Sequence, residues 1–251
     1  MFSWNSNDSS RYNARDGQRD QGGYDWDLRA TDTRQMARVQ EGSLTASFVW
    51  MFLALLVSAA TAFLTVASPD TLDFVANYAL GFIIAELALV VILSAAINRM
   101  SPAVAVLMLF AYAALTGATF AMILVVFDLG SVTVAFVGAA GIFGAAALCG
   151  LVTGRDLTSL GGILFAGLIG IVIASLANIF VGGDELSFII GIVGVVLFTG
   201  LTAYDVQRIK DGRMAYVHNP ESASVLGALA LYLDFVNIFE MLLRLTGSQR
   251  R

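Results

Sequence analysis

The run VTVAFVGAAGIFGAAALCGLV, Val132–Val152, carries no charged side chain from end to end. Wound as an α-helix it is about 30 Å long, the thickness of a bilayer's hydrocarbon core. Strands of a membrane barrel alternate polar and apolar residues, and neither Val134–Cys149 nor Val104–Phe110 does so. Working outward from this run, six more stretches of comparable length follow the same pattern: Ala46–Ala67, Tyr78–Asn98, Ala103–Phe127, Ser159–Val181, Leu186–Gln207 and Ala223–Leu245. The breaks between them carry turn chemistry: Ser68-Pro69-Asp70, Arg99-Met100-Ser101-Pro102, Asp128-Leu129-Gly130, Gly154-Arg155-Asp156, Gly182-Gly183-Asp184, and Lys210 through Pro220. An all-α membrane protein of seven transmembrane helices is the expected fold.

Composition agrees. The 251 residues are 58% hydrophobic and 13% charged, against about 45–50% and about 25% in soluble domains. Of the 33 charged side chains, 13 fall in residues 1–45. Three regions follow: a polar tail at 1–35, expected to be disordered, a transmembrane domain at 36–248, and a short basic C-terminus at 249–251. Arg34–Glu41 reads either as an interfacial helical lead-in or as a plain linker. No apolar core lies in the first 40 residues, so the tail does not read as a signal peptide. A net charge of −5 with scattered Lys and Arg offers no surface for nucleic acid. One cysteine, Cys149, and one histidine, His218, exclude an internal disulfide and a zinc site of the usual kind.

The basic residues near the spans set the expected orientation. With the tail in the cytoplasm, the inner set holds Arg34, Arg38, Arg99, Arg155, Arg208, Lys210 and Arg213, and the outer connections hold Asp70, Asp73, Asp128, Asp184 and Glu185 without a Lys or Arg. Arg244, Arg250 and Arg251 break the pattern, so the seventh segment either crosses fully or turns back; seven crossings are expected. Small residues in segments four to six (Gly138, Gly141, Gly144, Gly150, Gly161, Gly167, Gly191, Gly194) suit close helix contacts, because lipid supplies no hydrophobic drive between helices.

Ionisable groups inside the hydrocarbon cost at least about 2.5 kcal/mol and are usually functional. Glu86, Asp205 and Asp234 lie within or beside apolar runs, and Glu240 lies nearer a boundary. Arg99 and Arg244 are the candidate basic partners. Glu86 and Arg99 are about 20 Å apart along one helix, so their partners must come from other helices. Segments six and seven run antiparallel, so Asp205 and Asp234 can face each other. A desolvated carboxyl pair does not ionise twice cheaply, and one proton would be shared. Without that proton, the two charges repel and offer oxygen ligands to a divalent cation. The alternative is that Asp205 is an interfacial residue paired with Arg208, leaving Asp234 buried alone.

Thr202-Ala203-Tyr204-Asp205-Val206-Gln207-Arg208-Ile209-Lys210, followed by Ala228-Leu229-Ala230-Leu231-Tyr232-Leu233-Asp234-Phe235-Val236-Asn237-Ile238-Phe239, resembles the signature of the Bax inhibitor-1 family. Gly154-Arg155-Asp156-Leu157-Thr158, Glu86 and Leu242-Leu243-Arg244 match its pattern as well, so the resemblance runs from about Arg38 to Gly247. It implies six helices around a central, C-terminal seventh, and a pH-sensing pair, Asp205 and Asp234, gating a calcium leak that closes when the pair holds a proton. It also implies an intramembrane Glu at Glu86, an Arg at Arg244 and a gating Arg at Arg99. No enzyme activity and no cofactor are expected, calcium or protons being the transported or bound partners. Bacterial members resemble regulators of a membrane-anchored ATP-dependent protease, which is the alternative function. The bacterial inner membrane, with a cytoplasmic N-terminus, is the expected location.

Other membrane chemistries fit less well. An intramembrane aspartyl protease would share Tyr204-Asp205, but no Pro follows residue 220 to supply its Pro-Ala-Leu element. A rhomboid-type serine enzyme needs an intramembrane His, whereas His218 sits beside Asn219-Pro220 in a polar loop. No broken helices or repeated halves point to a proton-coupled transporter.

Overall fold

The structure, a computed structural model, describes residues 43–214 and 217–248. The polar tail, the Arg34–Glu41 lead-in and the basic C-terminus lie outside the described residues. Eight α-helices are described: α1 Ser43–Ala67, α2 Pro69–Asn77, α3 Ala79–Ala96, α4 Pro102–Val126, α5 Leu129–Val152, α6 Gly161–Val181, α7 Asp184–Lys210 and α8 Pro220–Thr246. Short 3-10 turns at Ile97–Arg99 and Leu157–Leu160 extend α3 and precede α6. Every helix but α2 is long and apolar enough to cross a membrane, which gives the seven spans.

Local chemistry explains the boundaries. Pro102 opens α4 after Ser101, whose Oγ accepts from Val104 N at 3.4 Å. Asp128 caps α5 by accepting from Gly130 N and Ser131 N at 3.0 and 2.9 Å. Asn219 caps α8 through Glu221 N at 2.8 Å, with Pro220 in the first turn. Gly182, at φ 66°, ends α6 in a conformation that disfavours a side chain. The α2 helix is a departure from the sequence reading, which left Ser68–Asn77 as a connection. Pro69 starts it, Val75 is buried beneath it, and Phe74 packs its ring against Tyr78 and Phe82. At about 14 Å it is too short to cross.

The long helices alternate in direction, so the bundle has two ends. At one, here the basic end, His218 N donates to Asn98 Oδ1 at 3.0 Å and Lys210 Nζ donates to Leu151 O at 2.9 Å. At the other, the acidic end, Asp128 N donates to Ser248 O at 3.1 Å and Ser248 N to Ser131 Oγ at 3.0 Å. Helix α8 therefore begins beside the α3–α4 connection and finishes beside the α4–α5 connection. It crosses fully, as its length of about 40 Å allows.

Helix α8 is the centre of the bundle: 72% of its most apolar window is buried, against 6–39% for the other six spans. It packs on α4, α5 and α7, and on α1 through Ser47 Oγ donating to Ser224 O at 2.9 Å and Ser58 Oγ lying 2.6 Å from Tyr232 OH. Helices α3 and α6 lie outside, on α4 and α7 respectively. The aromatics serve packing: Phe235 meets Phe136 and Phe143 edge-on, with ring centroids 5.4 and 5.7 Å away. Where backbones touch, a glycine is present. A methyl group at Gly117 would run into Ser58 O and come within 2.8 Å of Ser58 Cα, so α1 and α4 meet there without a side chain between them. Gly141, Gly144, Gly162 and Gly170 by contrast face open space.

Candidate functional site

The last two turns of α7 present Thr202, Asp205 and Arg208 in succession, and α8 brings Asp234 against them. Asp205 is 9% exposed and Asp234 4%. The two carboxyl groups act on each other electrostatically, and the Thr202 hydroxyl lies within hydrogen-bonding reach of Asp234. That hydroxyl also donates to Phe198 O at 2.8 Å. Asp234 Oδ2 is buried without a hydrogen-bond partner. On the far side of Asp205, Arg208 Nη1 stands 3.8 Å from Oδ1, a long ion pair whose guanidinium is partly exposed. Asp205 thus lies within electrostatic reach of Asp234 and also makes a long ion pair with Arg208. Two carboxylates and one guanidinium leave one negative charge uncompensated, which is costly in hydrocarbon.

Glu86 lies elsewhere. Its Oε1 accepts from Thr119 Oγ1 of α4 at 3.0 Å, and its charge interacts with that of Glu240 on α8. Arg244, one turn beyond Glu240, acts on Glu240 in turn. Beneath this cluster Ser58 Oγ sits 2.7 Å from Ala113 O, 3.1 Å from Ala54 O and 2.6 Å from Tyr232 OH. A serine hydroxyl has one proton to give, to a carbonyl or to Tyr232, and it can also accept from the Tyr232 hydroxyl. The Tyr232 ring stands edge-on to Tyr112 at 5.7 Å.

The sequence candidates therefore divide into two groups. Asp205, Asp234 and Arg208 converge where α7 meets α8, towards the basic end. Glu86, Glu240 and Arg244 converge where α3, α4 and α8 meet, towards the acidic end. Arg99 joins neither: it is exposed at the end of α3 and, among the described residues, forms no ion pair. Glu240 joins the site although it lies nearer a boundary, and its one signal in the sequence is the four-residue spacing to Arg244. His218 is exposed, as a loop residue should be. No cluster of three or more His, Cys, Asp or Glu able to hold a metal occurs among the described residues. A divalent cation between Asp205 and Asp234 would draw its remaining ligands from hydroxyl, carbonyl or water oxygens.

Comparison with known proteins places this geometry. Residues 40–251 match the family model described as inhibitor of apoptosis-promoting Bax1. The chain is 42% identical over 208 residues to the inner membrane protein YbhL of Escherichia coli K12, covering 80% of this chain and 89% of the relative. It is 39% identical over 225 residues to an uncharacterized protein of Deinococcus radiodurans, covering 86% and 97%. It is also 37% identical over 226 residues to one from Borreliella burgdorferi, covering 88% and 97%. With seven crossings, a central last helix and an acidic residue on each of the final two spans, this multi-pass membrane protein belongs to the Bax inhibitor-1 family.

Proposed function

We propose that the protein is a pH-sensitive cation leak, carrying calcium across a bacterial inner membrane, gated by the Asp205–Asp234 pair. The observation that carries the reading is the unpartnered Oδ2 of Asp234, buried in mid-span and within electrostatic reach of the Asp205 carboxyl group. A shared proton supplies the missing hydrogen bond and ties α7 to α8. Without it, two negative charges repel across the helix contact and turn their oxygens towards a passing divalent cation. Glu86 and Glu240 then provide negative charge on the way to the acidic end, with Arg244 limiting how much accumulates. The basic end faces the cytoplasm, following the excess of Arg and Lys in its connections.

The test is calcium flux through purified protein in liposomes, measured across pH. The wild type should leak little in acid and more as the pH rises. Asp205→Asn and Asp234→Asn each keep a hydrogen-bonding side chain but remove one titrating group, so both should flatten the profile. Wild-type pH dependence in both variants would refute the gate.

A further inference from the structure

The end of α5 and its connection to α6 are held to the end of α7 and the turn after it by three side chains spaced three residues apart. Gln207, only 4% exposed, donates from Nε2 to Arg155 O at 2.8 Å and accepts from Leu157 N at Oε1, also at 2.8 Å. Lys210 Nζ reaches Leu151 O at 2.9 Å, satisfying one of the carbonyls left open at the C-terminus of α5. Arg213 Nη1 donates to Asp156 Oδ1 at 2.8 Å. The Gln207 amide thus behaves like a strand neighbour, matching one backbone donor and one acceptor across fifty residues of sequence. Gln207 lies two residues after Asp205, so the two side chains leave α7 on nearly opposite sides: one grips the connection, the other faces α8.

We infer that Gln207 is a positioning residue for the carboxyl pair: its clamp on the α5–α6 connection fixes the backbone from which Asp205 meets Asp234. This rests on the reading of that pair as the gate. Among the described residues, the charged groups acting on Asp205 are Arg208 on its own helix and Asp234 on α8. The clamp brings no charge to the pair, so it acts through geometry. A loosened α7 end lets the carboxyl groups separate, the shared proton is held less firmly, and the leak persists to lower pH.

The experiment uses the full chain with Gln207→Met, which keeps the length of the side chain and removes both hydrogen bonds. Exchange of the Leu157 amide should rise about tenfold, and the midpoint of calcium flux against pH should move about one unit towards acid, a tenfold change in proton affinity. Unchanged exchange would show that the clamp is not formed. Faster exchange with an unmoved midpoint would show that it holds the connection without positioning the pair; either outcome overturns the proposal. Should Gln207→Met not fold, Arg213→Ala removes the exposed tether and should move both readings the same way by a smaller amount, with no movement again overturning it. Failure of the gating reading looks different: the Asn variants of the pair keep the wild-type profile, whatever the Leu157 amide does.

Discussion

Two glycines on α5 offer the sharpest test of the packing, because the same added methyl group meets opposite surroundings. At Gly150 it would collide with Ala203 O and stand 3.1 Å from both Ala203 C and Val206 Cβ; at Gly141 it would meet nothing within 4 Å. Ordinary contact between carbons needs about 3.5–4.0 Å, so Gly150→Ala must push α7 away from α5 by several tenths of an ångström. Overpacking of this kind costs about 1–3 kcal/mol. Gly141→Ala gains helix propensity instead, about 0.5–1 kcal/mol. The two variants should therefore differ by roughly 1.5–4 kcal/mol. At about 2–4 °C per kcal/mol for a chain of this size, that is roughly 3–16 °C in melting temperature. Thermal unfolding in one detergent, followed by the fraction still monodisperse after heating, reads the difference. Since Gly150 abuts the turn of α7 that carries Asp205, its substitution should also disturb the pH profile of flux, while Gly141→Ala leaves it alone. If the two variants melt together, the close approach of α5 and α7 is wrong, and with it the placement of Asp205.

Two further outcomes are expected. Tyr232→Phe removes the hydroxyl that hydrogen-bonds Ser58 at 2.6 Å and keeps the ring on Tyr112; it should cost about 0.6–2 kcal/mol in thermal stability, and no loss would mean that this bond does not hold α8 to α1. Asp156, in the α5–α6 connection, is held below the usual carboxylate range by the hydroxyl and backbone amide of Thr158, with Arg213 assisting. A depressed folded-state value means that its contribution is fully present above the unfolded value of about 3.9 and fades as the pH falls through the lower folded one. Protection of the Thr158 amide should accordingly hold steady from neutral pH down to about 4 and fail only in stronger acid; loss already near pH 6 would show that another group titrates there.

The sequence made the spans legible because length and the absence of charge decide them, and neither depends on packing. Their boundaries were nearly as plain where a cap or turn residue stands, as at Asp128, Asn219 and Gly182. Helix α2 was not legible: a short segment with Asp70 and Asp73 among apolar residues becomes a helix where Val75 is buried against the bundle. The acidic candidates were visible as misfits in apolar runs, but their grouping was not. Which groups of other helices Glu86 meets, Glu240 among them, depends on which faces of α3, α4 and α8 touch, and no periodicity within one helix encodes that. Gln207 was hidden for a related reason. A polar residue at the end of a span reads as the approach to water, whereas its two hydrogen bonds go to backbone atoms fifty residues away.

The separation of the acidic groups constrains how any ion could pass. Asp234 and Glu240 are six residues apart on α8, about 9 Å along its axis and about 120° around it. One faces α7 and the other faces α3 and α4, so no single groove of α8 joins them. Between them lie Phe235, Ile238 and Phe239, all buried, with Phe239 stacked near Phe120 and Phe136 at 5.6 and 6.1 Å. An ion moving from one site to the other must displace this aromatic layer or travel around α8. Hydrogen bonds at Ser224 and Tyr232 tie α8 to α1, whereas its contact with α7 combines the Thr202 hydroxyl beside Asp234 with methionine and leucine side chains over Gly191 and Gly194. Repulsion between Asp205 and Asp234, on the proposed gate, acts on the contact between α7 and α8 itself. If the proposed gate operates, an opening driven by that repulsion begins between α7 and α8, where the two carboxyl groups lie.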